Sequence, residues 1–256
     1  MANRCAAALC ALVAGLGLAA GCGGDEASAD VEPLPVGAGT YFSSNFLGLG
    51  GFYRVDEFSG ETEPQLSSAE NLAAGTGPCP MIVALDARPD GLVLGVARNS
   101  AHLYETDARQ ALCRAEAALP AVMAAVAVRS DGRILAVSTT NVLHEFDAQV
   151  RPLSARALVC DGLGPCPVRG IDVAPDGPLP AIVAGGAWSR IDPPTGQLTL
   201  MRASVGLSDD FDIDAQGLVR GLAGDELRFF DLQGRPVGRA VNVFGGTAFA
   251  NGVVSR

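Results

Sequence analysis

Three carboxylates recur at one place in a repeat: Asp86, Asp172 and Asp212 each stand five residues before a turn glycine, at Gly91, Gly177 and Gly217. The same place holds Ala127 before Gly132 and Thr247 before Gly252. Acids converging in this way form the oxygen donor set that a hard cation such as calcium takes up. They are equally the acceptors by which a strand anchors itself to neighbouring backbone N–H groups, and a residue repeated in register with the fold favours that structural duty. Ala127 interrupts the set and weakens the metal reading further. The densest acidic run, "DDFDID" from Asp209 to Asp214, places Asp210, Asp212 and Asp214 on one side of a strand. It lacks the glycine and closing Glu of a calcium-hand loop. No cofactor is expected, and calcium is the one metal that such acids would take.

Other chemistries are poorly served. His102 and His144 are the only histidines, five and three residues before the aspartates that close their repeats, so the repeat does not place them equivalently. Zinc would need further nitrogen or thiolate ligands beside them. All 18 basic side chains are Arg, which removes Schiff-base, phosphate-loop and Ser-Lys lysine chemistry. No Ser-His-Asp spacing, nucleophile elbow or dinucleotide glycine pattern occurs. An acid pair for glycoside hydrolysis would have to converge from separate repeats. Trp188, Tyr41 and Phe42 are the candidates for an aromatic ligand surface, but Trp188 aligns with Phe52, Leu103, Leu143 and Leu227 in an apolar column.

The elements that must position these residues follow from the period. Turns at "RPDG", "RSDG", "APDG", "DAQG" and "FANG" put successive glycines 41, 45, 40 and 35 residues apart. A second landmark keeps the same rhythm, with "YRVD", "YETD", "HEFD", "SRID" and "RFFD" ending at Asp56, Asp107, Asp147, Asp192 and Asp231. Short runs rich in Val, Ile and Leu lie between Asp-Gly or Asn-Ser turns, the signature of strands in tight hairpins. Four strands in about 40 residues is the size of a propeller blade. The spacing predicts an all-β chain, a single five-bladed β-propeller of four-stranded blades over residues 39–256. "GTYFSSN" and "GFYRVDEF" lack a first strand, which "FGGTAFANGVV" near the C-terminus supplies, so the ring is closed by pairing of N- and C-terminal strands. A β-sandwich and a six-bladed ring, made by splitting the 51 residues from Asp56 to Asp107, are the rivals.

On these motifs, "ALDARPDGLVLGVARNSAHLYETDARQ" resembles the repeat of an exported bacterial propeller family of unassigned function, and "GIDVAPDG" more distantly resembles the blade opening of NHL and gluconolactonase-like propellers. The resemblance spans about Gly77 to Asp231 and implies architecture. For activity it implies only an alternative, a divalent-metal-dependent hydrolase or lactonase at the channel mouth.

The N-terminal run "CAAALCALVAGLGLAAGC" after Arg4 is too short for an ordinary spanning helix and reads as an export signal. Ala19-Ala20-Gly21-Cys22 resembles the bacterial lipoprotein cleavage box, with Ala19 where the family more often has Leu. The resemblance implies a signal peptide at 1–21 and lipidation of Cys22. Residues 22–38, with "GGDEASADVEPLP", form a flexible tether. Gly23 in place of an inner-membrane retention Asp favours the outer membrane, periplasmic or surface-facing. Loss of Arg4 leaves 17 Arg against 28 acids, a formal charge of −11 that repels nucleic acid.

Cys79, Cys113, Cys160 and Cys166 remain in a disulfide-permissive compartment. "GPCP" at Gly77 and again at Gly164 makes Cys79 and Cys166 equivalent, and each is expected to have a local partner: Cys79 with Cys113, Cys160 with Cys166. Spacing alone leaves three pairings open. The balance favours a non-enzymatic, monomeric binding or scaffolding module. Its expected contacts are the membrane, through the lipid, and an envelope protein or extracellular ligand.

Overall fold

The computed structural model describes residues 40–46, 49–65, 77–89, 92–107, 112–160, 167–207, 210–224, 226–243 and 250–255. The signal, the tether, Cys22, Cys166, Asp209 and Thr247 lie outside the described residues. Every regular element among the described residues is a β-strand, and the strands form five small sheets in a propeller-like ring. Blade I orders β22 (Ala250–Ser255), β1 (Thr40–Phe46), β2 (Leu49–Val55) and β3 (Thr62–Gln65). Blade II orders β5 (Ile82–Ala87), β6 (Val93–Ala97), β7 (His102–Asp107), β8 (Leu112–Ala118) and β4 (Gly77–Pro78). Blade III orders β9 (Met123–Val128), β10 (Ile134–Ser138), β11 (Val142–Phe146) and β12 (Pro152–Ala157). Blade IV orders β14 (Val168–Ile171), β15 (Leu179–Val183), β16 (Ala187–Asp192), β17 (Gln197–Arg202) and β13 (Val159–Cys160). Blade V orders β18 (Phe211–Ile213), β19 (Val219–Ala223), β20 (Glu226–Phe230) and β21 (Val241–Asn242).

First strands face the middle, with β5 lying between β22 and β9, β9 against β14, and β18 against β22. The terminal strands pair as expected: β1 runs antiparallel to β22, with Thr40 opposite Ser255 and Tyr41 opposite Val254. The expectation of uniformly four-stranded blades is corrected, because blades II and IV carry a fifth strand. In both, the connector arriving from the previous blade lies along the outer edge and pairs its backbone there, β4 antiparallel to β8 and β13 parallel to β17. No ladder among the described strands passes from one sheet to the next, so each blade keeps its own edges. Those edges are blunted: pairing of β8, β12 and β17 slips at Glu116, Leu153 and Met201, and Pro64 and Pro152 sit on outermost strands. Bulges and prolines there discourage edge-to-edge association.

Packing follows the repeat. The aligned column Phe52, Leu103, Leu143, Trp188 and Leu227 is buried throughout. Trp188 fills the largest position, its Nε1 donating to Leu232 O at 3.0 Å and its ring meeting Phe211 edge-on at 4.8 Å. Tyr41 and Phe42 are also core residues, so the three aromatics form no ligand surface. The blade-closing aspartates make turns. Asp147 Oδ1 accepts N–H bonds from Gln149 and Arg151, and Asp231 Oδ1 from Gln233 and Arg235, all at 2.9 Å. Asp56 does likewise with Phe58 and Ser59. These N–H donors, Ser59 foremost for Asp56 and Arg151 for Asp147, hold both carboxyls below the usual range.

Cys79 and Cys113 are joined with Cα atoms 4.7 Å apart, fixing β4 to the rim of blade II. That bond excludes the rival pairing of Cys113 with Cys160. Cys160 is also disulfide-bonded; Cys166, its expected partner, lies outside the described residues.

Candidate functional site: the channel carboxylates

The inner strands deliver the repeated aspartates to one place. In β5 the pattern "IVALDA" buries Ile82, Ala84 and Leu85 and leaves Asp86 only 8% exposed, one residue before the strand ends. Asp86 Oδ1 accepts the N–H of Ala87 at 2.5 Å, and Oδ2 accepts the N–H of Val128, in blade III, at 2.5 Å. Asp172, which follows β14, repeats the arrangement. Its Oδ1 accepts from Val173 at 2.6 Å and its Oδ2 from Ile213, in blade V, at 2.5 Å. Each carboxylate is therefore a clasp, one oxygen on its own chain and the other on the first strand of the next blade. Val128 and Ile213 both directly follow the repeat position in their own blades. Asp212 is equally buried in blade V, and the residue its clasp would reach by the repeat, Ala248, lies outside the described residues.

The acidic run divides its work. Asp210, 4% exposed, sends Oδ2 to the N–H of Leu85 at 3.1 Å, tying blade V to blade II across 125 residues of chain. Asp214 holds the turn to Gln216 and Leu218, and its Oδ2 takes Nη1 of Arg220 at 2.9 Å. Nε of Arg220 lies 2.8 Å from Oε1 of Glu57 as an ion-pair contact, and Thr40 Oγ1 donates to the same oxygen. The guanidinium is 6% exposed, so this group joins blades V and I through a buried charge.

Burial pushes the Asp172 carboxyl well above the usual carboxylate range, and the charges of Asp86 and Asp212 push it further. The three expected site residues thus stand within electrostatic reach of one another. The oxygens of Asp86 and Asp172 are aimed at backbone N–H groups, however, and a cation could recruit either only by releasing a bond to the neighbouring blade. Among the described residues no three His, Cys, Asp or Glu side chains are placed to hold a metal. The histidines stand apart in their roles. His102 Nδ1 is 3.1 Å from Ser100 Oγ, which also bonds Tyr104 Oη at 2.8 Å. His144 stacks beside Phe146 in β11, and its partial burial lowers its pKa.

Sequence reasoning missed the Arg220 group. A signal was there: Arg220 is the one charged residue within any of the second strands of blades II to V, "VLGVA", "ILAVS", "LPAIV" and "VRGLA".

No protein-family model matches the chain, and no curated protein matches it. Among solved structures it is similar to a chain from the crystal structure of a nidogen–laminin complex, with a TM-score of 0.54 and 10% identity over 86% of this chain and 98% of that one. A protein of unknown function from Bacteroides caccae matches at a TM-score of 0.48 and 18% identity, over 80% and 73% of the two chains. Virginiamycin B lyase from Staphylococcus aureus matches at 0.45 and 10%, over 79% and 70%. The first likeness shows the fold alone, and the other two are too loose to bear on function.

Proposed function

We propose that this chain is a lipid-anchored β-propeller of the bacterial outer membrane, acting as a non-enzymatic binding or scaffolding module for an envelope protein or extracellular ligand. One observation carries the non-enzymatic part: Asp86 and Asp172 hold blades together with both oxygens. A general base or metal ligand needs an oxygen directed at solvent or substrate, and these are directed at amides. The anchor rests on "AAGC" and the acidic tether after Cys22. Among the described residues no helix is long and apolar enough to cross a membrane. Acyl mass on Cys22 in the mature N-terminal peptide, and release of soluble protein by Cys22→Ala, is the expected outcome. A mature terminus elsewhere, without lipid, rejects the anchor.

The crowding at Asp172 supports a second reading, a divalent-metal-dependent hydrolase or lactonase, because a cation would relieve that repulsion. Calorimetric titration with calcium, alongside a lactone hydrolysis assay, separates the two. The binding-module reading expects neither saturable calcium uptake nor turnover. Calcium-dependent hydrolysis abolished by Asp86→Asn or Asp172→Asn would replace it with the enzyme.

A further inference from the structure

A groove of about 440 Å³ lies between the end of β17 and the outer part of blade V, away from the channel. Its volume falls in the range of small-molecule sites. Among the described residues, three charged ones line it: Arg202, Arg228 and Glu226. Glu226 Oε2 accepts from both Nε and Nη2 of Arg228, at 3.0 and 2.7 Å, which fixes the plane of that guanidinium. The third nitrogen, Nη1, lies over Gly206, where a Cβ would come within 2.8 Å of it. Arg202 is exposed and has no acidic partner among the described residues. Among the described lining residues, two Arg against one Glu leave one net positive charge, in a chain of formal charge −10. Val205, Phe229, Pro236 and Val237 supply apolar lining beside it.

We propose that this groove binds a small organic monoanion, a carboxylate joined to an apolar body. A guanidinium presents paired donors that match the two oxygens of a carboxylate, and Arg202 is the one of the two whose charge no described carboxylate answers, while Arg228 keeps only Nη1 and one N–H of Nη2 clear of Glu226. Arg228, locked by Glu226, shapes the wall and adds field. A single net charge is matched by a monoanion, whereas an organic cation is repelled and a neutral body leaves Arg202 unanswered. The proposal deepens the binding-module reading by giving it a ligand class.

The chain reports on this site itself. Trp188 is the only tryptophan, and Gly234, which lines the groove, lies so close that a Cβ there would be 2.9 Å from Trp188 Cδ1 and 2.9 Å from Val205 Cγ1. Titration of the full chain with hexanoate, 1-hexanol, hexylammonium and acetate, followed by Trp188 emission and in parallel by calorimetry, tests the assignment. Hexanoate is expected to bind saturably and at least about tenfold more tightly than the other three, and Arg202→Gln to weaken it by about tenfold with the fold intact. Hexanoate and hexanol binding alike, an unchanged affinity in Arg202→Gln, or no saturable heat with hexanoate would each overturn the proposal. So would tighter binding of a glutamate-rich peptide, which assigns the groove to protein recognition. None of these outcomes bears on lipidation of Cys22 or on the channel, so failure here is separable from failure of the anchor or non-enzymatic readings.

Discussion

The joint between blades II and III and the joint between III and IV occupy equivalent places in the repeat and are built differently. At the first, Asp86 spans the gap to Val128, and Ala84, Leu94, Val96 and Leu103 pack with Met123, Val126 and Ile134. At the second the repeat position is Ala127, which has no carboxylate to send across. Instead Ala125, Ala127, Leu135 and Val137 pack with Val168, Ile171 and Ala181, and Asn141 Oδ1 accepts the N–H of Val168 at 3.1 Å. A blade joint therefore needs an apolar face and one polar tie, but not a particular one. The repeated aspartate, at Asp86 and Asp172, is one solution to a packing problem.

If polar ties differ in kind, removing them should differ in effect. The largest loss is expected at the joint of blades V and I, where Arg220→Ala leaves Glu57 and Asp214 facing each other without a cation. Breaking a buried ion pair from one side costs about 3–5 kcal/mol, and chemical denaturation should show a loss of that size. Arg220→Met, with both acids also neutralised, should recover much of it.

Asp86→Ala comes next. It strips acceptors from Ala87 and Val128, and each orphaned N–H costs about 1–3 kcal/mol, so a total of about 2–4 kcal/mol is expected after partial hydration at the channel. A denaturation midpoint unchanged by Asp86→Ala would break the distinction between the two joints.

Asp172 sharpens the comparison through pH. Its folded pKa is raised above 3.8, so the folded state binds more protons than the unfolded one. The stability this group confers is complete below that value and declines as pH rises toward the folded pKa. Asp172→Asn removes the titration while keeping one acceptor. Denaturation midpoints measured from acid to neutral pH should fall less steeply with pH in the variant than in the parent, and parallel profiles would show that Asp172 ionises without cost.

The smallest effect is expected at the joint between blades III and IV. Asn141 has φ of 60°, so Asn141→Gly keeps the backbone and removes the acceptor of the Val168 N–H, a loss of about 1 kcal/mol. Asn141→Ala adds the strain of a left-handed residue, about 1 kcal/mol more. Equal melting curves for the two variants would show that conformation contributes nothing.

Much of the fold was legible because it repeats. Gly132, Gly177 and Gly217 have φ of +83°, +94° and +81°, so "RSDG", "APDG" and "DAQG" are turns whose geometry calls for glycine. The period-two runs and the apolar column from Phe52 to Leu227 were read in the same way. The channel was half legible: placing Asp86, Asp172 and Asp212 on inner strands follows from the period, but their partners belong to the next blade. Asp210 meeting Leu85, or Arg220 meeting Glu57, depends on ring geometry that brings distant segments together. Fifth strands of two residues carry no periodicity to detect. The groove escaped because Arg228 stands where the other blades have Tyr53, Tyr104, His144 and Ser189, and aligning repeats discards what does not recur.

The pairing of β1 with β22 also sets a timetable. Strands β1, β2 and β3 are made before those of blades II to V, yet their sheet waits for residues 250–255, made after them. Blade II needs only its own neighbourhood, and its cystine spans 34 residues. Contacts of such different sequence separation form at very different rates. As the chain is delivered from its N-terminus, the middle blades can settle while the first stays unfinished, with the apolar side of β1 and β2 uncovered. The interval between those events is when this protein is most open to aggregation, and lengthening it, by slowing delivery of the last strand, should lower yield without altering the stability of molecules that finish.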